Sequence, residues 1–419
     1  MTSGTTRGLP RRTARTPEDE HSRENALTDV HPDTAPASPL TAAARAVVPL
    51  AAAHAAAADT DRSLHPDVVE AIVAAGFTRH FAPPGACGPP GTFADLLTAA
   101  AELGTGCPSA AWIASVCASA GRLTGLLPGA GREEVWAKGD GTVVAAGLIP
   151  AGTAVPVPGG WRLTGAWPYV SGSGFADWTL LAARTEAGGR TQVRVFAVPA
   201  ADCTVRDTWR TLGMRGTGSN TVVAEAVTVP AERTVPLDTL VSGASFPGAA
   251  PCHTVPLKAA NGLTLAAPLL GAARGAVRRW TELVGERLTA PPAGVSGAPD
   301  RSTYEQALAR SEGETDAAAL LLARVGRVAD EGEVDEAATA RNARDCALAA
   351  EYLTAAVDRL LRSAGTRAHA EGEELQRRWR DLVCGAGHAA LQFAPAARAW
   401  SFSRDQAQPR TGAAGQASG

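Results

Sequence analysis

The sequence predicts an α+β chain in three parts: an N-terminal helical region, a central antiparallel β unit and a C-terminal four-helix bundle. Two patterns carry this prediction. Apolar residues recur at helical spacing from Leu40 to about Lys138, and again from about Val255 to Phe393. Between them, from Gly141 to about Val235, short β-branched and aromatic runs are separated by Gly and Pro turns. A length of 419 residues suits two to three structural units, and a hydrophobic content of 45% is enough for a sizeable core. The expected boundaries are disordered tails at 1–38 and 401–419, helices over 39–140, the β unit over 141–250 and the bundle over 251–400.

The elements follow in order. The first 38 residues mix Pro, Thr, Ser, Arg and acids with almost no large apolar residues, which reads as disorder. Ala42–Ala58 is an Ala-rich helix. Asp67–Ala75 follows His65-Pro66 and stops at Gly76, a capped helix. Pro83–Gly91 is a loop, and Phe93–Leu103 is a third helix. Pro108–Leu127 is a long apolar helix opened by Pro108 in its first turn and closed by Pro128. Five strands are expected: Val143–Ile149, Trp161–Trp167, Trp178–Ala183, Gln192–Val198 and Thr221–Val229. Four long antiparallel helices complete the chain: Asn261–Thr289, Thr303–Val328, Ala337–Ala364 and Glu373–Phe393. Pro291–Arg301 is the loop between the first two.

Composition excludes several functions. Lysine occurs only at Lys138 and Lys258, and neither is followed by the Ser or Thr of a phosphate-binding P-loop. Two lysines also leave little room for Schiff-base chemistry. A net charge of −3 and a pI near 6.3 argue against nucleic acid as a partner. No run of about 18 apolar residues is present, so no membrane span is expected. Seven scattered cysteines without C-x-x-C suggest reduced thiols and a cytoplasmic protein. The eight histidines are dispersed and H-E-x-x-H is absent, so no metal site is expected.

Four motifs remain. The first is Gly106-Cys107-Pro108-Ser109-Ala110-Ala111-Trp112. The second runs from Gly160-Trp161 through Trp167-Pro168-Tyr169-Val170-Ser171-Gly172 to Asp177-Trp178. The third is Asp207-Thr208-Trp209-Arg210 through Gly213-Met214-Arg215-Gly216-Thr217-Gly218-Ser219. The fourth runs from Gln376 through Arg380-Asp381-Leu382 to His388. Together, and in this order, they resemble the flavin-dependent monooxygenases built on the acyl-CoA dehydrogenase fold. These are the oxygenase halves of two-component (group D) systems. They include p-hydroxyphenylacetate hydroxylases, dibenzothiophene monooxygenases and hydroxylases of aromatic polyketide pathways. The resemblance spans about Leu40 to Phe393.

The resemblance implies a set of roles. Ser171 contacts flavin N5 and the C4a-hydroperoxide, with Gly172 shaping its turn; the alternative is an ordinary turn serine. Tyr169 and Trp209 lie by the isoalloxazine, with core packing the alternative for each, whereas Trp167 reads better as strand core. The Gly-rich loop with Arg215, Thr217 and Ser219 holds the flavin or merely starts the next strand. His388, on the last helix, faces flavin and substrate as a general base or a partner of the hydroperoxide. Arg380 binds flavin phosphate or forms an ion pair, and Arg287 is a further phosphate candidate. Trp112, Ala120 and Ala146 line the substrate pocket. Where the p-hydroxyphenylacetate hydroxylases carry a substrate-side His and Ser, this chain has Ala120 and Ala145-Ala146, which suits a larger, flatter substrate.

The implied function is oxygenation with reduced FMN, or FAD, supplied by a separate reductase, since no nicotinamide fingerprint is present. An aromatic or polyketide-type metabolite would be hydroxylated through a C4a-hydroperoxyflavin. N- or S-oxygenation of a small metabolite is an alternative. Acyl-CoA dehydrogenation is another, but the Tyr-Glu-Gly-like turn carrying its base is absent, and Gly385-Ala386-Gly387-His388 stands there instead. A homotetramer assembled through the bundles is expected.

Overall fold

The computed structural model describes Met1 and residues 37–187, 189–289 and 301–407. The expected N-terminal tail and the loop after Thr289 lie outside the described residues. Five helices come first: α1 (Pro39–Asp61), α2 (Pro66–Ala74), α3 (Phe93–Gly106), α4 (Pro108–Thr124) and α5 (Gly129–Val135). Their starts follow local chemistry. Thr92 caps α3 by accepting from Asp95 N–H, and Pro108 occupies the first turn of α4. In α1, Leu40, Ala44, Val47, Ala51, Ala55 and Ala58 are buried, one stripe at helical spacing, and the helix packs on α3. By length and composition alone α1 could cross a bilayer, which the sequence reading did not anticipate. Its alanines raise the mean hydropathy, although Arg45 and His54 interrupt it.

The strands are β1 (Val144–Val157), β2 (Gly160–Val170), β3 (Trp178–Ala187), β4 (Arg190–Pro199), β5 (Thr204–Arg206), β6 (Asn220–Pro230) and β7 (Thr234–Pro236). They form one sheet in the order β5-β6-β2-β1-β3-β4-β7. The sheet is mixed, which corrects the antiparallel expectation. β1 and β2 form a hairpin, but β3 lies parallel to β1, with Val144 opposite Trp178. The reason is local. β2 returns the chain to the start of β1, and the short link Ser171–Asp177 then passes to the free edge of β1. Asp177 fixes this crossover: its N–H donates to Val143 O, its Oδ2 accepts from Val143 N–H, and its Oδ1 pairs with Lys138 Nζ at 2.6 Å. Alternation of side chains reports the faces of a strand and not its neighbour, so this topology was not readable beforehand.

After two short helices, α6 (Leu237–Ser242) and α7 (Pro251–Thr254), come α8 (Leu257–Thr289), α9 (Arg301–Asp330), α10 (Glu336–Ala364), α11 (Glu374–Ala386) and α12 (Phe393–Ala407). Helix α8 packs against α9, α10 and α11, and also against α3 and α4. Its crossing with α3 is made by backbone. A Cβ on Gly271 would overlap Ala101 O, and one on Gly104 would sit 2.7 Å from Pro268 O. The expected last helix, Glu373–Phe393, is in fact two. Helix α11 stops at Ala386 with Gly387 as its C-cap, and α12 begins at Phe393. Helix α12 runs to Ala407, so the polar composition after Trp400 does not end the ordered chain there; residues 408–419 lie outside the described residues.

Candidate active site

A cavity of about 580 Å³ opens where these elements converge. Helix α4 presents Trp112, Val116, Ser119, Ala120 and Leu123, one helical face. Strand β1 adds Ala146–Ile149, and the end of β2 adds Pro168 and Tyr169. The crossover supplies Ser171, the loop before β6 supplies Trp209, Met214, Thr217 and Ser219, and α8 supplies Leu257, Asn261, Thr264 and Leu265. Cys384 and Gly385 in the last turn of α11, and Gly387 and His388 just beyond it, close the site. No Asp, Glu, Lys or Arg is among these lining residues.

Tyr169 is aimed by strain. Its φ is +64°, and the pairing of β2 with β6 shifts register between Trp167 and Val170. The bulge turns the phenol away from the strand's alternation, so it stands 65% exposed, edge-on to Trp209 with ring centroids 6.2 Å apart. Trp209 is held by its indole N–H donating to Met214 O at 2.8 Å. Trp167 points the other way, fully buried with Nε1–H donating to Ala182 O, as its strand-core reading implies. Gly172 does not line the cavity; it makes the turn behind Ser171 at φ +75°, where its N–H donates to Thr217 O.

Ser171 sits in a chain of polar contacts. Trp112 Nε1–H donates to Ser171 Oγ at 3.2 Å. Ser171 Oγ is 2.7 Å from Ser219 Oγ, which is 2.7 Å from Thr217 Oγ1. Thr217 Oγ1 in turn donates to Met214 O at 2.8 Å. Thr217 and Ser219 thus join Ser171 in a hydroxyl chain at the cavity.

His388 caps the short turn Ala389–Leu391 instead of riding on the last helix, because Gly385 and Gly387 end α11 before it. Its Nδ1 accepts from Ala390 N–H at 3.1 Å. That bond assigns the proton to Nε2, so the neutral ring carries a donor there. Nε2 makes no hydrogen bond to the described residues, and the ring lies 6.1 Å from that of Trp112. Although the ring meets solvent through the open cavity, surrounding protein pushes its pKa below the ordinary imidazole value. Burial pushes the neighbouring Cys384 thiol up, so it stays protonated.

Arg380 and Arg215 are not among the residues that line the cavity, and both engage Asp59. Arg380 forms a bidentate pair with Asp59 at 3.0 and 2.7 Å and also donates to Leu212 O. Arg215 Nε donates to Asp59 O at 2.6 Å. Both brace the loop before β6 against α1. The side chain of Arg287 lies outside the described residues.

Asp381 was seen in the sequence only as Arg380's neighbour. It is buried, and its Oδ1 accepts from Met214 N–H at 2.6 Å, pinning Met214 at φ +52°. Burial pushes its pKa up to about 6, against the Met214 hydrogen bond, which lowers it. The folded value lies above the ordinary one of about 3.9. Stability from this group is therefore highest below pH about 4 and is lost as pH rises through about 6. Asp381→Asn keeps an acceptor and removes the desolvated charge. Its thermal midpoint is expected about 2–4 °C above the parent at pH 7.5 and equal to it near pH 4. Melting curves at the two pH values check this, and an equal shift at both would reject it.

Sequence reasoning also missed Ser119, Asn261 and Thr264. Ser119 lies seven residues after Trp112, on the same helical face. Asn261 and Thr264 are polar positions within an apolar stretch of α8. Each was therefore findable by asking which polar residue breaks an apolar face.

Comparison with known proteins extends this picture. Residues 263–393 match the model of the acyl-CoA dehydrogenase C-terminal domain. The oxygenase subunit HsaA of a flavin-dependent monooxygenase from Rhodococcus jostii is 31% identical over 341 residues, covering 78% of this chain and 88% of that protein. This chain belongs to that family of flavin-dependent monooxygenase oxygenase subunits. The chain has other relatives. The oxygenase component of an FADH2-dependent resorcinol hydroxylase from a Rhizobium species is 28% identical, covering 72% of this chain and 78% of its own. Among solved structures, XiaF from a Streptomyces species, in complex with FADH2 and glycerol, superposes with a TM-score of 0.81 at 29% identity, covering 94% of this chain and 99% of that one. The chain thus has the acyl-CoA dehydrogenase-like fold expected of it.

Proposed function

We propose that this chain is the oxygenase component of a two-component system that uses reduced flavin and dioxygen to hydroxylate a neutral aromatic metabolite. The observation that carries the proposal is one uncharged cavity walled by Ser171, Trp112 and His388, with no carboxylate in its lining. Abstraction of an acyl α-proton needs such a base, so dehydrogenation is disfavoured.

The residues fit a flavin ring. Tyr169, Trp209 and Trp112 offer flat aromatic surfaces, and the Ser171 hydroxyl offers a polar contact. Reduced flavin, when bound, supplies activation of dioxygen and transfer of one oxygen atom. The chain's own groups do the rest. Ser171 holds a hydrogen bond towards the cofactor. His388 donates from Nε2 to an oxygen of the substrate, a role the assigned tautomer supports over that of base. Apolar walls of α4, β1 and α8 exclude water. The resorcinol hydroxylase and XiaF are named with FADH2, whereas TdsC from a Paenibacillus species is FMN-bound, so reduced FAD and FMN deserve titration side by side. A separate reductase, a homotetrameric assembly and a cytoplasmic setting complete the proposal.

Lining without ionisable side chains other than Tyr169, Cys384 and His388 favours an uncharged substrate, and Ala120 and Ala146 leave room for more than one ring. Ala120→Leu is expected to raise KM about tenfold for a two- or three-ring phenol and to change it little for a one-ring phenol. Steady-state assays on both series check this. The function itself is tested by supplying reduced flavin and ¹⁸O₂ with a panel of neutral phenols. Incorporation of ¹⁸O into product supports it, and flavin oxidation without product from any phenol counts against it.

A further inference from the structure

We propose that Thr217 and Ser219 are positioning residues that let the Ser171 hydroxyl reverse its polarity towards the cofactor. The inference rests on the flavin reading above. Thr217 is fully buried and Ser219 is 4% exposed, so bulk water does not complete their hydrogen bonds.

Proton count limits the chain to two orders. The ends of the chain are fixed: the Trp112 indole only donates, and Met214 O only accepts. Each of the three hydroxyls between them has one proton. In the first order, Ser171 donates to Ser219, Ser219 to Thr217, and Thr217 to Met214 O. Ser171 then accepts from Trp112 and shows a free lone pair to the cavity. In the second order every proton is reversed. Thr217 donates to Ser219, Ser219 to Ser171, and Ser171 donates into the cavity. Reversal leaves no hydroxyl unsatisfied. Met214 O loses one of three donors and keeps Trp209 Nε1–H at 2.8 Å and Thr217 N–H at 3.2 Å.

A ring N–H of reduced flavin selects the first order, and a ring nitrogen lone pair of oxidised flavin selects the second. The same serine therefore bonds both redox forms. Removing Ser219 affects them unequally. With Ser219→Ala, Ser171 can still donate to the oxidised form. Facing a donor, its own proton has lost its acceptor, an unsatisfied group that weakens binding of the reduced form.

The test measures dissociation constants of reduced flavin, anaerobically, and of oxidised flavin for the parent, Ser219→Ala, Thr217→Val and Thr217→Ser. The ratio of reduced to oxidised dissociation constants is expected to rise about tenfold in Ser219→Ala. It should rise in the same direction in Thr217→Val and stay at the parental value in Thr217→Ser. Parallel weakening of both forms, or no change in the ratio, overturns the inference. If the parent binds neither form, the proposed function fails and the relay fails with it. Ser171→Ala serves as the reference: it should remove the effect of a second change at Ser219 and raise the peroxide released per oxygen consumed.

Discussion

Replacing His388 with Ala is expected to lower the hydroxylation rate about 10²–10³-fold, with flavin binding retained. The imidazole does two things at once. Nδ1 caps the turn by accepting from Ala390 N–H, and Nε2 is left to donate into the cavity. Two amides separate these roles. His388→Asn keeps an acceptor near the Nδ1 position but falls short of Nε2. His388→Gln reaches further and gives up the cap. If donation matters, His388→Gln should recover at least about tenfold over Ala while His388→Asn restores only thermal stability. If His388 is a base, neither amide helps, and equal rates for Gln and Ala would refute the donor role. Protonation of the ring puts a hydrogen on Nδ1 and breaks the cap. Because burial lowers the pKa, activity should hold as pH falls through about 6.5 and fail only below it. That acid limb should be absent in His388→Asn.

The second large effect is on stability, and its sign is unusual. Gly to Ala within a helix ordinarily stabilises by roughly 1 kcal/mol. At Gly271 the added methyl would overlap Ala101 O and crowd Gly104, which are backbone atoms of α3 and cannot rotate aside. Gly271→Ala is therefore expected to destabilise by about 1–3 kcal/mol, lowering the thermal midpoint by several degrees. Gly313→Ala, on α9 with nothing within 4 Å of its new methyl, should show the ordinary gain. Opposite shifts of the two melting temperatures are the expected result. A gain at both positions would mean that the crossing opens without cost.

Much of this molecule was legible before its structure. Long helices announced themselves because burial of one face imposes a period on the residues. The Trp112, Ser171, Trp209 and His388 motifs pointed to one site, and the fold brings them to one cavity. What escaped was pairing at a distance. The partner of Arg380 is Asp59, 321 residues away, and nothing local distinguishes it from a phosphate-binding arginine. The parallel β1–β3 pair escaped because alternation does not name a neighbour. The break before His388 was written in Gly385 and Gly387, but the apolar period continued across it. Thr217 and Ser219 were visible as hydroxyls, yet their order in a chain is a matter of distances.

The backbone crossing of α3 and α8 divides the cavity into two kinds of wall. Helix α8 supplies Leu257, Asn261, Thr264 and Leu265 and cannot shift without disturbing Gly104 and Gly271. Ala120 and Ala146 stand on other elements, and their small side chains end at the cavity. Diversification of substrate shape therefore has a preferred route. Changes at positions 120 and 146 resize the chamber one side chain at a time, while changes on α8 must be matched across a helix crossing. A directed library built on this enzyme would reach new chemistry soonest through those two alanines.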